Sequence, residues 1–288
     1  MAAPPRPTAT AAGELTLGGD MNVRRLGFGA MRITGPGIWG EPEDRDGAIA
    51  LLRRVVELDV NFIDTADSYG PAASEELIAE ALHPYPPDLV VATKGGLTRS
   101  GPGRWEPDCR PERLKRCCEE SLLRLRLDAI PLYQLHTPDQ KVPFEESVGA
   151  LADLREEGKV RHVGLSNVGV EHVEQARKIV PIVSVQNRYS VTARNSEDAL
   201  QACEEQRLGF IPWFPLDAGR IGHHALAEVA AAHDVTPMQV ALAWLLQHSE
   251  VMLPIPGTSS IEHLEENVAA AALRLTDEEL AKLEESGA

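Results

Sequence analysis

The feature that most constrains this chain is an alternation. Short apolar runs recur along its 288 residues, separated by stretches of helical periodicity. The runs fall near Leu26–Gly29, at 61–64, and at "DLVVATK" (88–94), "AIPLYQLH" (129–136) and "KVRHVGLSN" (159–167). "IVSVQN" (182–187), "GFIPWFPL" (209–216) and "VMLPIPG" (251–257) complete the series. Runs this short and this continuously apolar read as strands buried on both faces, and helical crossovers between them make the pairing parallel. The stretches between carry helix signals. Ile49, Leu52 and Val56 stand at helical spacing within 44–59, and a second helix is expected at 73–82. Pro111 opens a helix with Leu114, Cys118, Leu122 and Leu125 on one face. Helices at 145–157 (stopped by Gly158), 170–179 and 196–207 follow, with an extra one near 223–233. Thr236-Pro237 opens another, and Ser259-x-x-Glu262 and Thr276-x-x-Glu279 read as capping boxes for the last two.

Eight strand–helix units in a chain of this length predict an α/β fold, a (β/α)8 TIM barrel with extra helices. Pro212 lies inside the seventh run, where it removes a ladder donor. "ELTLGGDMNVRRLGFG" adds an N-terminal β-hairpin turning at Gly18-Gly19. Residues 1–13 read as a disordered tail without a secretory signal, and 14–288 as a single barrel domain.

A net charge of −16 argues against nucleic acid and anionic membranes as partners. No apolar run approaches the roughly 18 residues needed to span a bilayer. Cys109, Cys117, Cys118 and Cys203 form no CxxC, which reads as reduced thiols in a cytoplasmic protein. HExxH is absent and the histidines are scattered, so no metal site is expected. The oligomeric state is left open.

In a barrel of this kind chemistry collects where strands end at their C-terminal side. Strand two ends in Asp64, with Tyr69 in the following loop; strand three ends in Lys94 and strand four in His136. Strand five ends in Ser166-Asn167, strand six in Gln186, strand seven in Trp213 with Leu216 beyond, and strand eight in Gly257-Thr258-Ser259. Buried polar groups must be paired, and these can pair only if the strands converge. A free phenol has a pKa of about 10. Lys94 beside Tyr69 is expected to favour the phenolate and lower that value, with Asp64 holding Lys94 charged and in place. His136 would orient a carbonyl oxygen, and the group would deliver a proton to it as it gains charge. With no GxSxG and no strand-end cysteine, hydride from a nicotinamide fits as the attacking species. Ser166, Asn167 and Gln186 could hold its carboxamide, and Trp213 could stack on its ring. Two other readings stay open: a barrel lyase using Lys94 as a Schiff base, and a regulatory module sensing cofactor redox state.

"GFGAM", "DTADSYG", "VVATKGG", "LYQLH", "GKVRHVGLSN", "VQNRYS" and "PIPGTSSIEHLEEN", in this order, resemble the aldo-keto reductases over roughly residues 14–286. The resemblance implies reduction of a small aldehyde or ketone by NADPH, bound without a Rossmann fold; NADH is not excluded. It implies a catalytic tetrad of Asp64, Tyr69, Lys94 and His136 with Tyr69 as general acid. It also implies a cofactor site of Met31, Asp64, Ser166, Asn167, Gln186, Trp213, Phe214 and Leu216. Gly257, Thr258, Ser259, His263, Glu266 and Asn267 extend that site, the last two near the adenine. Several family members carry a lysine or arginine after strand eight for the adenosine 2′-phosphate; the matching positions here are Gly257 and His263. The long C-terminal loop of many relatives is absent, so Trp39 and Trp105 are expected to wall the substrate pocket. Within the family, "GPGIWGEPEDR" and "TPMQVALAWLLQ" look like the bacterial pyridoxal reductase (pyridoxine 4-dehydrogenase) group.

Overall fold

A computed structural model describes residues 7–216 and 224–286. The chain opens with β1 (Glu14–Leu17) and β2 (Met21–Arg24), an antiparallel hairpin. Then come β3 (Phe28–Gly29), α1 (Arg45–Glu57), β4 (Phe62–Asp64), α2 (Ala73–Leu82) and β5 (Val90–Gly95). A second antiparallel hairpin, β6 (Leu97–Gly101) and β7 (Arg104–Pro107), leads into α3 (Pro111–Leu125) and β8 (Ile130–Leu135). Next are α4 (Phe144–Glu156), β9 (Val160–Ser166), α5 (Val170–Arg177), β10 (Ile182–Gln186), α6 (Glu197–Gln206) and β11 (Gly209–Phe210). Four helices finish the chain: α7 (His224–His233), α8 (Pro237–His248), α9 (Ile261–Ala269) and α10 (Asp277–Ser286). The sheet order is β11-β10-β9-β8-β5-β4-β3, every pair parallel.

The eighth run does not form a regular strand. Pro254 and Pro256 have no N–H, so residues 251–257 cannot make a full ladder. They still close the barrel. Leu253 N donates to Phe210 O at 2.8 Å on one side, and Gly27 N and Gly29 N donate to Pro254 O and Pro256 O at 2.9 and 3.3 Å on the other. The seventh strand is likewise shorter than expected and stops before Pro212. The chain stays aligned beyond it, because Ile211 N and Trp213 N donate to Val185 O and Asn187 O at 2.8 and 3.0 Å.

Local signals place most helix ends. Asp44 caps α1 through Gly47 N at 2.8 Å, Gly158 follows α4 with φ +75°, and Thr236 with Gln239 forms a capping box on α8. Thr276 and Glu279 bond reciprocally at the start of α10, as expected. The cap of α9 is Ser260, not Ser259. Thr258 Oγ1 accepts from Ser260 N at 3.0 Å, forming a tight turn that moves the helix start one residue on. The tail expected to be disordered is partly built in. Residues 1–6 lie outside the described residues, but Ala9–Ala12 make a 3-10 turn with Ala9 and Ala12 buried. Ala9 N donates to Leu58 O at 3.0 Å, and the small alanines pack against the α1 side of the core.

The barrel interior holds Phe62, Val90, Ala92, Leu132 and Val183, topped up from the N-terminal end by Leu17, Met21 and Val23 of the hairpin. A Cβ on Gly209 would lie 2.4 Å from Leu17 Cδ2, so glycine there lets the Leu17 side chain of the hairpin pack directly over the strand. Side chains alternate along a strand. Two residues on from inward-facing Phe62, Ala92 and Leu132 stand Asp64, Lys94 and Gln134, with His136 two further. One inner face therefore runs from apolar to polar, and the polar end is the C-terminal one.

Candidate active site

Lys94 is the centre of the polar end. Its side chain is fully buried, and its Nζ donates to Asp64 Oδ1 at 2.6 Å, Thr65 O at 2.8 Å and Tyr69 Oη at 3.4 Å. Asp64 is buried too, and its second oxygen accepts from Gln186 Nε2 at 2.8 Å and Gln134 Nε2 at 3.1 Å. A buried ion pair is tolerable only when its remaining lone pairs and protons are met, and here they are. Burial alone would depress the Lys94 ammonium, but Asp64 and Tyr69 reverse this and hold it above its ordinary value. A lysine kept protonated and paired in this way is a poor Schiff-base nucleophile.

The phenol departs from expectation. Burial pushes Tyr69 above its ordinary value; Lys94 pulls it down and Asp64 pushes it up again. Desolvation outweighs the ammonium, so Tyr69 is a protonated group standing next to a charge that would stabilise its anion. His136 is pushed well below its ordinary value by burial and then by Lys94, which leaves a neutral imidazole at pH 7. Its Nδ1 pairs with Ser68 Oγ at 3.4 Å, and its ring meets that of Tyr69 edge-on at 5.8 Å between centroids.

A cavity of about 640 Å³ opens over this group. Tyr69, Asp64 and His136 line it, whereas Lys94 sits beneath its floor. At its middle are Ser166, Asn167, Gln186 and Trp213. Asn167 adopts φ +59°; its Nδ2 donates to His136 O at 2.9 Å and its Oδ1 accepts from Trp213 Nε1 at 3.1 Å. Phe214 and Leu216 line the cavity beyond, and Met31 faces them from the loop after β3. The far end carries Gly257, Thr258 and Ser259 with His263, Glu266 and Asn267 of α9. The later cap leaves Ser259 facing the cavity while Ser260 holds the helix end.

Of the two expected pocket walls, Trp105 lines the cavity and Trp39 does not. Ile38 takes that place in a left-handed conformation, φ +56°, and Trp39 is 36% exposed beside it. Sequence reasoning also missed Gln134 and Arg32. Gln134 was findable from the two-residue step between Leu132 and His136. Arg32 lines the far end of the cavity, with its Cγ close to Gly257. Position 257 has no room for a lysine, since a Cβ there would lie 2.5 Å from Gly29 O. A cationic side chain, that of Arg32 in the turn after β3, does line this end. Asp67, buried behind Tyr69, has an unpartnered Oδ1 and is pushed up to about 7 by burial and then by Glu75. Among the described residues no cluster of metal-binding side chains occurs and no helix is long and apolar enough to cross a membrane.

The sequence profile described as "Aldo/keto reductase family" matches residues 25–223 and 222–288. An uncharacterized oxidoreductase of Schizosaccharomyces pombe is 49% identical over 271 residues, covering 93% of this chain and 88% of that protein. Pyridoxine 4-dehydrogenase of Escherichia coli is 43% identical over 273 residues, covering 92% and 96%. An aldo-keto reductase from Klebsiella pneumoniae, solved in complex with NADPH, superposes with a TM-score of 0.80 at 28% identity, covering 94% of each chain. The matched span, the barrel and the buried Asp64–Lys94–Tyr69 contact agree, and the chain belongs to the aldo/keto reductase family of NAD(P)H-dependent oxidoreductases.

Proposed function

We propose that this protein reduces a small aldehyde or ketone to the alcohol with NADPH, Tyr69 giving up the proton. The observation that carries this is the position of Lys94 Nζ, 2.6 Å from Asp64 and 3.4 Å from the Tyr69 hydroxyl, under the floor of a cavity. The cavity fits a dinucleotide: amide and hydroxyl groups at its middle, an indole beside them, and hydroxyls, a helix N-terminus and Arg32 at its far end. A bound nicotinamide supplies the hydride. Tyr69, kept protonated by burial, donates to the oxygen that becomes negative, and Lys94 stabilises the phenolate left behind. Asp64 keeps Lys94 charged and aimed. His136, neutral and engaged at Nδ1 by Ser68, offers its other ring nitrogen to the same oxygen. Ser166 and Gln186 hold the carboxamide, and Asn167 braces Trp213 against the ring. Arg32, Thr258 and Ser259 meet the 2′-phosphate, with Glu266 and Asn267 at the adenine.

The relation to pyridoxine 4-dehydrogenase makes pyridoxal the first substrate to assay. Tyr69→Phe is expected to keep NADPH affinity, read by fluorescence quenching, and to lose about 10²–10⁴-fold in kcat for pyridoxal or benzaldehyde. Unchanged turnover in that variant would remove Tyr69 from the chemistry. A single slow oxidation of bound cofactor with no steady state would favour a sensing role over catalysis.

A further inference from the structure

The β6–β7 hairpin carries a side chain that the proposed reaction does not use. Arg99 sits with its guanidinium carbon 3.6 Å from the Trp105 ring centroid and 5.7 Å from that of Trp39. A guanidinium has five N–H donors, and all of them go to backbone carbonyls. Nε donates to Arg104 O at 3.0 Å. Nη1 donates to Ile38 O at 2.8 Å and Ser68 O at 3.0 Å. Nη2 donates to Gly37 O at 3.0 Å and Gly101 O at 3.4 Å. These carbonyls belong to the loop after β3, the loop after β4 and the hairpin after β5. One cation therefore fastens the loops of three successive barrel strands.

What it fastens is the substrate end. Trp105 lines the cavity and meets Tyr69 and His136 edge-on, at 6.2 and 6.3 Å between centroids. Ile38 lines it too, in a left-handed conformation that is uncommon for a β-branched residue, and its carbonyl is held by Arg99. Ser68, held through its own carbonyl, contacts His136 through its hydroxyl. With every donor engaged and the Trp105 indole against the guanidinium, Arg99 has no N–H left for a substrate anion. We propose that Arg99 is a positioning residue: it sets Trp105 and Ile38 as the wall over Tyr69 and His136, and so makes the pocket selective for flat aromatic aldehydes over small aliphatic ones. This rests on the carbonyl-reductase reading above.

The test compares Arg99→Ala, Arg99→Lys, Trp105→Ala and the Arg99→Ala/Trp105→Ala double variant in the full chain, with NADPH. Substrates are benzaldehyde, 4-carboxybenzaldehyde and propanal. Arg99→Ala is expected to raise KM for benzaldehyde about tenfold, with kcat falling less than KM rises, and to move KM for propanal by less than about threefold. The double variant should lose less than the sum of the two single losses, exceeding Trp105→Ala only by what Arg99 contributes through Ile38. Arg99→Lys keeps the charge but lacks the planar fork, so it should recover only part of the loss. Fully additive effects, or an unchanged KM for benzaldehyde, would overturn the proposal. So would a loss confined to 4-carboxybenzaldehyde, which would make Arg99 an anion receptor. 19F NMR of 5-fluorotryptophan-labelled protein reads the hold directly. The Trp105 resonance should shift or broaden in Arg99→Ala, and in Arg99→Lys if Arg99→Ala does not fold; an unmoved resonance counts against the proposal. A wild type that reduces none of the three aldehydes would defeat the functional reading, while the NMR result would still report whether Arg99 holds Trp105.

Discussion

At the N-terminal end of the barrel the hairpin fills the opening with Leu17, Met21 and Val23; at the C-terminal end the same inner face holds Asp64, Lys94, Gln134 and Gln186. Both ends are buried, but they answer to different physics. The lower end is governed by volume, since each buried aliphatic side chain contributes about 1.5–3 kcal/mol and any gap costs more. The upper end is governed by pairing: a buried charge is tolerable only while its partner is present. The reaction proposed for the upper end therefore depends on removing water from groups that keep one another charged or neutral, and the lower end keeps the frame in which they meet.

Lys94→Met tests this contrast most severely. It strands the Asp64 carboxylate, and unfolding by denaturant should show a loss of about 3–5 kcal/mol together with loss of carbonyl reduction. A stable, active Lys94→Met protein would erase the distinction between the two ends. Leu17→Ala is the counterpart at the lower end. It should cost about 3 kcal/mol in the same experiment while kcat per folded molecule holds, because the cavity it leaves lies at the opposite end from the tetrad. A fall in kcat matching the loss of stability would mean that the hairpin also shapes the site.

Asp67 sharpens the comparison through pH. Its folded pKa of about 7 lies above the ordinary 3.8. Between these values the folded protein keeps a proton that the unfolded chain has lost, so this group lowers stability as pH rises from about 4 to about 7, with no further loss above. Asp67→Asn removes that cost. It should gain on wild type progressively over this window, on the order of 1–3 kcal/mol by pH 8, as read from unfolding midpoints. A constant offset from pH 4 to pH 8 would show that Asp67 is ionised throughout. The smallest effect is expected at the cavity's far end. Arg32→Ala should raise KM for NADPH about tenfold and that for NADH less, as loss of one charge-assisted contact to phosphate predicts. Equal changes for both cofactors would put Arg32 on a group they share.

Much of this contrast was legible in the residues. Phe62 to Asp64, Ala92 to Lys94 and Leu132 to His136 step along strands with period two, so burial and then polarity on one face could be read directly. Arg99 could not. Its hairpin, "LTRSGPGRWEP", is broken by glycine and proline, and nothing local tells a carbonyl-binding arginine from a solvated one. Trp39 and Ser259 were misplaced by a single residue's turn, because a left-handed Ile38 and a hydroxyl-held turn at Thr258 redirect the chain after the periodic elements end. Ala9–Ala12 looked like part of a tail because alanines have little pattern, and only the surface of α1 gives them somewhere to pack.

The sequence by itself determined the order of the barrel runs and their crossover helices and which polar groups end them, since both follow from short periods and local caps. Only the tertiary structure decided that burial outweighs Lys94 at the Tyr69 phenol. It also decided that Arg32 lines the cavity next to position 257, which has no room for a side chain, and that Trp105, not Trp39, lines the cavity. Each of these depends on distances between residues far apart in the chain, and on the water excluded from among them, quantities that no local pattern contains.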